Sequence, residues 1–196
     1  MEITFLGTGT STGVPEIGCQ CEVCTSSDKR DWRLRTSVLV ETDGKRVLLD
    51  CGPDFRWQVI RNKTYHLDAV LISHEHYDHV GGLDDLRPFC REKGVDVYAE
   101  DNVAEAIETR IPYVFRIHKY PGVPNLELHR IGNEPFMVAG IPVTPVRVMH
   151  GKLPIFGYRI GNMAYLTDVK YLPEEEYAKL EGLDVLVLTA LRRGAH

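Results

Sequence analysis

The chain has 196 residues, of which 43% are hydrophobic and 26% are charged. This length and balance are typical of a single domain that buries its own core, so a disordered or fibrous chain is excluded. The formal net charge is −5, which weighs against a nucleic-acid polymer as partner because phosphate neutralisation needs a basic surface. No apolar run reaches the roughly 20 residues of a membrane-spanning helix, so we expect no membrane partner.

Met1 to Leu6 lacks a basic leader ahead of its apolar residues, and we therefore expect a cytoplasmic protein. Ile3 to Leu6 is typical of a strand. The loop from Gly7 to Pro15 then begins with glycines at G-x-G spacing. A dinucleotide-binding loop is disfavoured, because the third glycine comes one residue late and no helical pattern follows. We expect a flexible loop whose hydroxyls, among them Thr10 and Ser11, reach a site at the sheet edge.

Three cysteines, Cys19, Cys21 and Cys24, are crowded at C-x-C-x2-C spacing. Three thiolates on a loop can cover one face of a tetrahedral zinc ion, with the fourth ligand coming from elsewhere. The alternative is three free thiols on the surface, which would be prone to oxidation without a packing benefit. We therefore predict a structural zinc. Cys51 and Cys90 lie in apolar surroundings and are predicted to be core residues.

The basic cluster Lys29 to Arg35 would either attract an anionic substrate or form a solvated, charge-balanced face. Thr36 to Glu41 and Arg46 to Asp50 are predicted strands of a hairpin around Asp43-Gly44. Asp50 ends the second of these strands. Its carboxylate would either orient metal-bound histidines or cap the following turn.

The densest group of potential metal ligands follows the apolar run Ala69 to Ile72, which is typical of a buried strand. The group consists of His74, His76, Asp78 and His79. Four such ligands in six residues crowd one tetrahedral ion, but they suit two ions about 3.5–4 Å apart. His74 and His76 would bind one ion. Asp78 and His79 would bind the other. A solvated polar turn is the alternative, and this density of ligands disfavours it.

The second half of the chain continues the alternation of predicted strands, helices and loops. The first predicted elements are a strand at Val95 to Ala99, a helix at Asp101 to Arg110 capped by Asp101 or Asn102, and an ordered loop at Tyr113 to Pro124 that could cover the site. They are followed by a strand at Ile141 to Met149 and a hairpin of Ile155 to Ile160 with Met163 to Leu166. A helix at Glu174 to Leu180 and a strand at Val185 to Leu188 come last.

Two further ligands are predicted from their position in this pattern. His150 and Asp168 each come directly after a predicted strand, as the first ligand group does. This shared placement favours metal binding over an isolated histidine and a helix-capping aspartate. His118 and His129 have no ligand neighbours and are predicted to be surface or packing residues.

The ligand order H-x-H-x-D-H, then a histidine, then an aspartate resembles that of the metallo-β-lactamase superfamily, and the resemblance covers essentially the whole chain. Four further segments resemble the PhnP-like branch, whose members are phosphodiesterases that act on small cyclic phosphates. They are Thr8-Gly9-Thr10-Ser11, the three clustered cysteines, Arg35-Thr36-Ser37 and Gly82 to Phe89.

The resemblance implies a single α/β domain over residues 1–196, folded as an αββα four-layer sandwich with a zinc-knuckle insertion at about 15–30. It implies two divalent ions, zinc or manganese, at one edge of the sandwich. His74, His76 and His150 would hold the first ion. Asp78 and His79 would hold the second, and Asp168 would bridge the pair. Cys19, Cys21 and Cys24 would hold the structural zinc.

The resemblance also implies a reaction: a hydroxide that bridges the two ions attacks the phosphorus of a small, cyclic phosphodiester. Asp78 and Asp168 are the predicted catalytic residues in this chain, and Arg87 and the loop containing Thr10 and Ser11 are candidates for substrate contact. Members of the branch continue beyond the equivalent of His196 and supply the general-acid histidine there. We therefore expect the C-terminal part of the domain to be missing, with the second ion and the knuckle zinc each short of a ligand.

Other functions stay open at this stage. A ribonuclease Z-like RNA-processing nuclease would use the same ions, although the acidic charge balance weighs against a polymeric substrate. A non-catalytic metal-binding module is a second alternative, and thioester or lactam hydrolysis on the same fold is a weaker one. A homodimer is compatible with the sequence but nothing in it requires one.

Overall fold

The structure, a computed structural model, describes residues 1–190, so that His196 and its neighbours lie outside the described part. Two sheets account for the strands within this range. The first sheet contains, in spatial order, β1 (Glu2–Gly7), β2 (Ser37–Thr42), β3 (Lys45–Leu49), β4 (Ala69–Leu71), β5 (Val95–Glu100) and β6 (Leu126–Ile131). β1, β2 and β3 pair antiparallel, whereas β3 to β6 run parallel.

The second sheet follows in the chain and is mostly antiparallel. Its strands are β7 (Phe136–Val138), β8 (Ile141–His150), β9 (Leu153–Ile160), β10 (Met163–Leu166) and β11 (Val185–Leu188). Their spatial order is β11-β10-β9-β8-β7, and within the described part of this second sheet the pairing of β10 with β11 is parallel and the other pairings are antiparallel.

Helices lie between and around these strands. The α-helices of residues 1–190 are α1 (Phe55–Arg61), α2 (Tyr77–Val80) and α3 (Asp101–Arg110), and short 3₁₀ helices span Lys29–Asp31, Leu83–Cys90, Pro112–Val114 and Glu174–Leu180. No helix in this range is both long and apolar enough to cross a membrane.

In the first sheet, β2, β3 and β4 contain runs of three or more successive buried residues, so these strands are covered on both faces, which explains their continuous apolar runs. Val38 and Val40 face the second sheet and pack against Tyr158 and its neighbours. Leu39 faces the other way, into a core that α1 and α3 cover with Phe55 and other apolar side chains. This gives three layers in the order helix, sheet, sheet.

The outer face of the second sheet supplies the fourth layer. Val146, Val148, Ile155 and Leu166 form a small core there, covered by residues 169–180. The helix predicted at Glu174 to Leu180 is a 3₁₀ helix. The αββα prediction is thus confirmed as a mixed fold of two packed sheets, with a thin fourth layer in the described part of the chain.

Most predicted strands agree with the structure to within a residue or two, but several elements were not predicted, among them α1, α2, β6 and β7. The capping prediction for α3 is wrong. Glu100 occupies the N-cap without a side-chain hydrogen bond, because β5 runs directly into the helix. The segment Leu83–Cys90, which includes most of the Gly82 to Phe89 stretch that resembles the PhnP-like branch, is a 3₁₀ helix that contains Pro88.

Backbone contacts between two turns position the predicted metal edge. The N–H of Cys51 donates to the carbonyl of His79 at 2.8 Å, and the N–H of Gly82 donates to the carbonyl of Cys51 at 2.8 Å. The turn after β3 therefore lies directly against α2. The approach is so close that a Cβ atom on Gly52 would overlap the carbonyl oxygen of Asp78.

Gly52→Ala should displace α2 and destabilise the domain by roughly 2–4 kcal/mol, because backbone atoms rather than a flexible side chain occupy the space. Urea denaturation measures the change. Gly44→Ala is the matched control. Gly44 has a φ of 71° with open space around its Cβ position, so its substitution should cost only about 1–2 kcal/mol of conformational strain. Equal losses in both variants would contradict a steric role for Gly52.

Candidate metal centre

The first sheet supplies four of the predicted ligands from one turn. β4 ends at Leu71, and His74 follows it as a fully buried residue. His76 stands at the N-cap of α2, with the extended backbone of that position. Asp78 and His79 lie in α2 itself. The strand end and the short helix together aim these side chains at one edge of the sandwich.

The second sheet supplies two more predicted ligands. His150 is the last residue of β8 and pairs with Leu153 across a tight turn. Asp168 lies two residues after β10, with a left-handed φ of 53° that aspartate tolerates better than most residues. Its N–H donates to Oγ1 of Thr189 at 2.8 Å, which fixes this unusual backbone. The site is therefore divided between the two sheets.

The structure brings all six predicted active-site ligands together in two groups. Within each group, one donor atom from every member lies within 4.8 Å of the others. The first group consists of His74, His76, His150 and Asp168; the second consists of Asp78, His79 and Asp168. Asp168 belongs to both groups, as a bridging ligand would.

Distances between donor atoms fit metal coordination. Two ligand atoms about 2.0–2.1 Å from one ion at a tetrahedral angle are about 3.3 Å apart. His79 Nε2 lies 3.2 Å from Asp78 Oδ2 and 3.3 Å from Asp168 Oδ2. His74 Nε2 lies 3.0 Å from His76 Nδ1 and 3.6 Å from Asp168 Oδ2. These spacings are those of ligands around a common centre.

Two of the ring nitrogens in these groups are buried without a hydrogen-bond partner. They are Nε2 of His79 and Nδ1 of His150. A buried polar atom without a partner is costly, so natural proteins rarely keep one. Since imidazole nitrogens and carboxylate oxygens are ligands for zinc, manganese and related ions, the residues fit a divalent cation in each group.

The carboxylate of Asp50 fixes the tautomers of two ligands. His79 Nδ1 donates to Asp50 Oδ2 at 2.8 Å, which leaves Nε2 free for a cation. The hydroxyl of Ser73 donates to the same oxygen at 3.0 Å and accepts from His74 Nδ1 at 2.9 Å. His74 Nε2 is thereby left free as well. Of the two roles predicted for Asp50, the structure supports the orientation of histidines.

The environment shifts the pKa values of the buried ligands in opposite directions. Burial lowers the pKa of His74 to about 3, and the nearby charge of His79 adds to this effect, so the ring is neutral at pH 7. Burial alone would lower the pKa of His79 too, but the carboxylates of Asp50, Asp168 and Asp78 raise it well above its ordinary value. The carboxylates at this edge thus stabilise a positive charge placed between them, as a bound cation would be.

The two ligand carboxylates remain ionised at neutral pH. Burial alone would raise the pKa of Asp168, but its interaction with His79 and the charges of the neighbouring histidines lower it. Burial opposes a lowered pKa at Asp78 in the same way, and the contact with His79 again outweighs it. Both carboxylates are therefore ready to bind cations and unable to act as general acids at pH 7.

The loop after β1 lies at the same edge, because the end of β1 pairs with the start of β2. Thr10 Oγ1 lies 3.0 Å from Thr12 Oγ1, and the carbonyl of Ser11 accepts from Arg35 Nε at 2.7 Å. Arg35 also pairs with Asp54 at 2.9 Å. Thr10 and Ser11 belong to neither donor group, and substrate contact by them stays a prediction.

Arg87, the other predicted substrate contact, forms an ion pair with Asp84 in the 3₁₀ helix Leu83–Cys90. Its Nη2 donates to Asp84 Oδ1 at 2.8 Å, and the hydroxyl of Tyr113 donates to the same oxygen at 2.6 Å. These contacts fix Arg87 within the 3₁₀ helix that follows α2.

The three clustered cysteines form a separate donor group. Their sulfur atoms lie within 4.8 Å of one another. The N–H of Cys24 points at the sulfur of Cys21 and, with the side chains of Cys19 and Cys24, lowers the pKa of the Cys21 thiol. The lowered pKa favours the thiolate that zinc requires at Cys21. At Cys24 the N–H of Glu16 lowers the pKa of the thiol, but desolvation and the thiols of Cys19 and Cys21 outweigh it and raise that pKa. Cys51 is buried as predicted, whereas Cys90 is only half-buried and lies 3.3 Å from the carbonyl of Leu86.

A third group of possible ligands lies at the opposite end of the strands. Asp96, Glu127 and His129 come together across β5 and β6, near the start of β5. His129 Nε2 donates to Asp96 Oδ1 at 2.7 Å, and its ring stacks on Tyr98 with centroids 4.6 Å apart. His129 was predicted to be a surface or packing residue. Its hydrogen bond and ring stacking account for its position without a cation.

Sequence reasoning missed Ser73 and Tyr165 as parts of the site. Ser73 directly precedes His74, and this adjacency to a predicted ligand was the available sign that its hydroxyl contacts the site. Tyr165 follows Met163 by two residues in β10 and shares the face that packs against the first sheet, where its hydroxyl donates to Asp50 Oδ2 at 2.9 Å. No local pattern reveals that partner, because the two residues are 115 positions apart.

Comparison with known proteins agrees with this geometry. The family described as "Beta-lactamase superfamily domain" matches residues 45–195, and the chain belongs to this family. A solved structure titled "Crystal Structure of a New Diphosphatase from the PhnP Family" is 42% identical, with a TM-score of 0.90, and the match covers 99% of this chain and 76% of that one. This similarity confirms the PhnP-like branch. The fold and its neighbours point to a metal-dependent hydrolase.

Two curated relatives carry other names. A protein of Porphyromonas gingivalis named octanoyltransferase is 53% identical over 194 residues, which are 98% of this chain and 39% of that protein. Ribonuclease Z of Thermosynechococcus vestitus is 30% identical over 175 residues, covering 82% of this chain and 36% of the relative. The chain thus spans less than half the length of either protein.

Asp168→Asn should weaken both cations, because Asp168 belongs to both donor groups, whereas Asp78→Asn should weaken only the second. Asparagine keeps the volume of aspartate and tolerates the left-handed backbone at position 168. Metal content after gel filtration, measured by mass spectrometry, should fall by about two equivalents in the first variant and about one in the second. Loss of a single equivalent in both would argue against a shared ligand.

Cys24→Ser should remove one zinc equivalent and leave the active-site cations in place, since the cysteine group is separate from the other two. The same metal analysis measures this loss. Cys90→Ser serves as control because Cys90 lies outside all donor groups. Unchanged zinc content in Cys24→Ser would show that the three thiols are free.

Proposed function

We propose that the chain is a metal-dependent phosphodiesterase that hydrolyses a small phosphodiester. The observation that carries this proposal is the pair of donor groups that share Asp168 at one edge of the sandwich. Two cations in adjacent groups are the arrangement that phosphoryl-transfer sites use to hold both the attacking and the leaving oxygen.

The residues that would hold the cations follow from the two groups. His74, His76 and His150 would hold the first, Asp78 and His79 the second, and Asp168 both. We infer two zinc or manganese ions from this mixture of imidazoles and carboxylates. When bound, such ions lower the pKa of water toward neutrality and offset the negative charge of phosphoryl oxygens.

The protein's own residues prepare the site in three ways. Asp50, directly and through Ser73, holds the Nδ1 protons of His79 and His74 and keeps both Nε2 atoms free. The ionised carboxylates of Asp78 and Asp168 can accept hydrogen bonds from a water molecule and so orient it. His74, His79 and Ser73 are themselves shielded from solvent, which strengthens these polar contacts.

The relatives support phosphorus chemistry. The PhnP-family protein is called a diphosphatase in its title, and ribonuclease Z is by name an RNA-cleaving enzyme. The net charge of −5 favours a small substrate over RNA, because polymer binding depends on neutralised phosphates. A small phosphodiester or diphosphate ester is therefore the first candidate.

Hydrolysis of an acyl thioester is the second candidate. It is favoured by one observation, the 53% identity to part of a protein named octanoyltransferase. Cations in the same groups could polarise a thioester carbonyl as well as a phosphoryl oxygen. It ranks second because the match covers 39% of that protein, so most of the named protein lies outside it.

Turnover of 2′,3′-cyclic AMP by the metal-loaded protein tests the first candidate, with octanoyl-coenzyme A as the competing substrate. His76→Ala should lower kcat/KM for the true substrate at least about 100-fold, since it removes a ligand of the first group. His118→Ala is the control, because His118 is exposed and belongs to none of the donor groups. Both variants should remain folded by circular dichroism.

The possible outcomes separate the candidates. Turnover of the cyclic nucleotide that His76→Ala abolishes supports the proposal. Turnover of the thioester alone would replace it with the second candidate. Binding of RNA with a steep salt dependence, together with RNA cleavage, would point to a ribonuclease. A protein that carries two cations and turns over none of these substrates would act as a non-catalytic metal-binding module.

A further inference from the structure

Tyr165 is a buried tyrosine whose hydroxyl reaches across the two sheets. It lies in β10 with 1% of its surface exposed, on the face that packs against the first sheet. Its hydroxyl donates to Asp50 Oδ2 at 2.9 Å. Asp50 follows β3, so this hydrogen bond joins the second sheet to the turn that lies against α2.

The oxygen that Tyr165 contacts is the one that orients His79. Asp50 Oδ2 accepts from His79 Nδ1, from the hydroxyl of Ser73 and from Tyr165. The other oxygen, Oδ1, accepts from the N–H of Ser73 at 2.8 Å. Tyr165 is the one donor in this set that comes from the second sheet.

The position of Asp50 depends on these bonds because its carboxylate is fully buried and its backbone lies outside the ordinary helix and strand regions. Its φ is 61°, in the left-handed region, and its side chain has no solvent exposure. A buried carboxylate that loses a donor stays buried but loses one of the contacts that define its orientation. His79 would then lose the fixed partner of its Nδ1 proton.

Tyr165 also shares a strand end with a ligand. Asp168 follows it by three residues, and Asp168 Oδ2 lies 3.3 Å from His79 Nε2. In the second donor group, Asp168 comes from the second sheet, whereas Asp78 and His79 come from the first. The hydrogen bond from Tyr165 to Asp50 therefore links the strand that leads to Asp168 with the carboxylate that contacts His79.

We propose that Tyr165 is a positioning residue for the second cation: by donating to Asp50 Oδ2, its hydroxyl fixes the carboxylate that orients His79. The proposal rests on the two-cation centre of the proposed function and does not depend on which substrate is hydrolysed. It predicts that the hydroxyl matters more for metal affinity in the second group, made of Asp78, His79 and Asp168, than in the first, because Asp50 contacts His79 directly but reaches His74 only through Ser73.

Tyr158 provides a matched control within the same sheet. It is fully buried on the same face, and its hydroxyl donates to the carbonyl of Ile72 at 2.6 Å. It thus joins the same two sheets near the same edge without touching Asp50. Tyr158→Phe and Tyr165→Phe each remove one buried hydroxyl, so a difference in metal affinity between them reports on the Asp50 contact.

The test is a Co²⁺ titration of the metal-free protein, followed by visible absorption, with chelator competition to give the dissociation constant of each bound ion. Tyr165→Phe should weaken the second ion about tenfold, since partners of metal-bound histidines typically contribute 10–100-fold and Tyr165 acts one contact further away. The first ion should change less than about threefold, and Tyr158→Phe should leave both ions within that range. The absorption spectrum of the second ion should also change in Tyr165→Phe alone.

Equal effects of Tyr165→Phe and Tyr158→Phe on both ions would overturn the proposal, as would an unchanged second ion in Tyr165→Phe. Should Tyr165→Phe fail to fold, 3-fluorotyrosine placed at position 165 provides a second test. It keeps both the ring and the hydroxyl, so the protein should fold. Its ¹⁹F resonance should shift on addition of the second metal equivalent and not the first. A resonance that is insensitive to the second equivalent would overturn the proposal. Because every readout is metal binding, absence of phosphodiesterase activity leaves the result intact.

Discussion

The buried carboxylate of Asp50 is the constraint on which the metal edge depends. A charge without solvent contact is tolerated only when hydrogen bonds replace the lost water, and here the backbone and hydroxyl of Ser73, the ring of His79 and the hydroxyl of Tyr165 do so. These donors come from the end of β4, from α2 and from β10. The carboxylate therefore fixes three elements relative to one another, and the ligand geometry follows from that.

The family, the two-sheet fold and a compact ligand set could be predicted from sequence because their signals are local. His74, His76, Asp78 and His79 stand within six residues, and this spacing indicates metal binding without knowledge of tertiary structure. His150 and Asp168 could be added because each follows a strand, and strand ends that share a sheet edge meet in space. The structure places all six in two donor groups.

The remaining features depend on contacts that no local pattern encodes. Tyr165 reaches Asp50 only because two sheets pack face to face. The cap of α3 shifted to Glu100 because β5 continues without a break into the helix. Tertiary context decided each of these.

The division of the ligands between the two sheets gives the cations a mechanical role. His150 and Asp168 come from one sheet and the other four predicted ligands from its partner, so an ion bound in either donor group would cross-link the two sheets at this edge. A ligand that binds only the folded state stabilises it by mass action, by about 2.7 kcal/mol when its concentration is 100 times its Kd. The thermal stability of this fold should therefore follow the supply of free metal, and a cell that depletes these ions would loosen the sandwich first at the edge that holds the two donor groups.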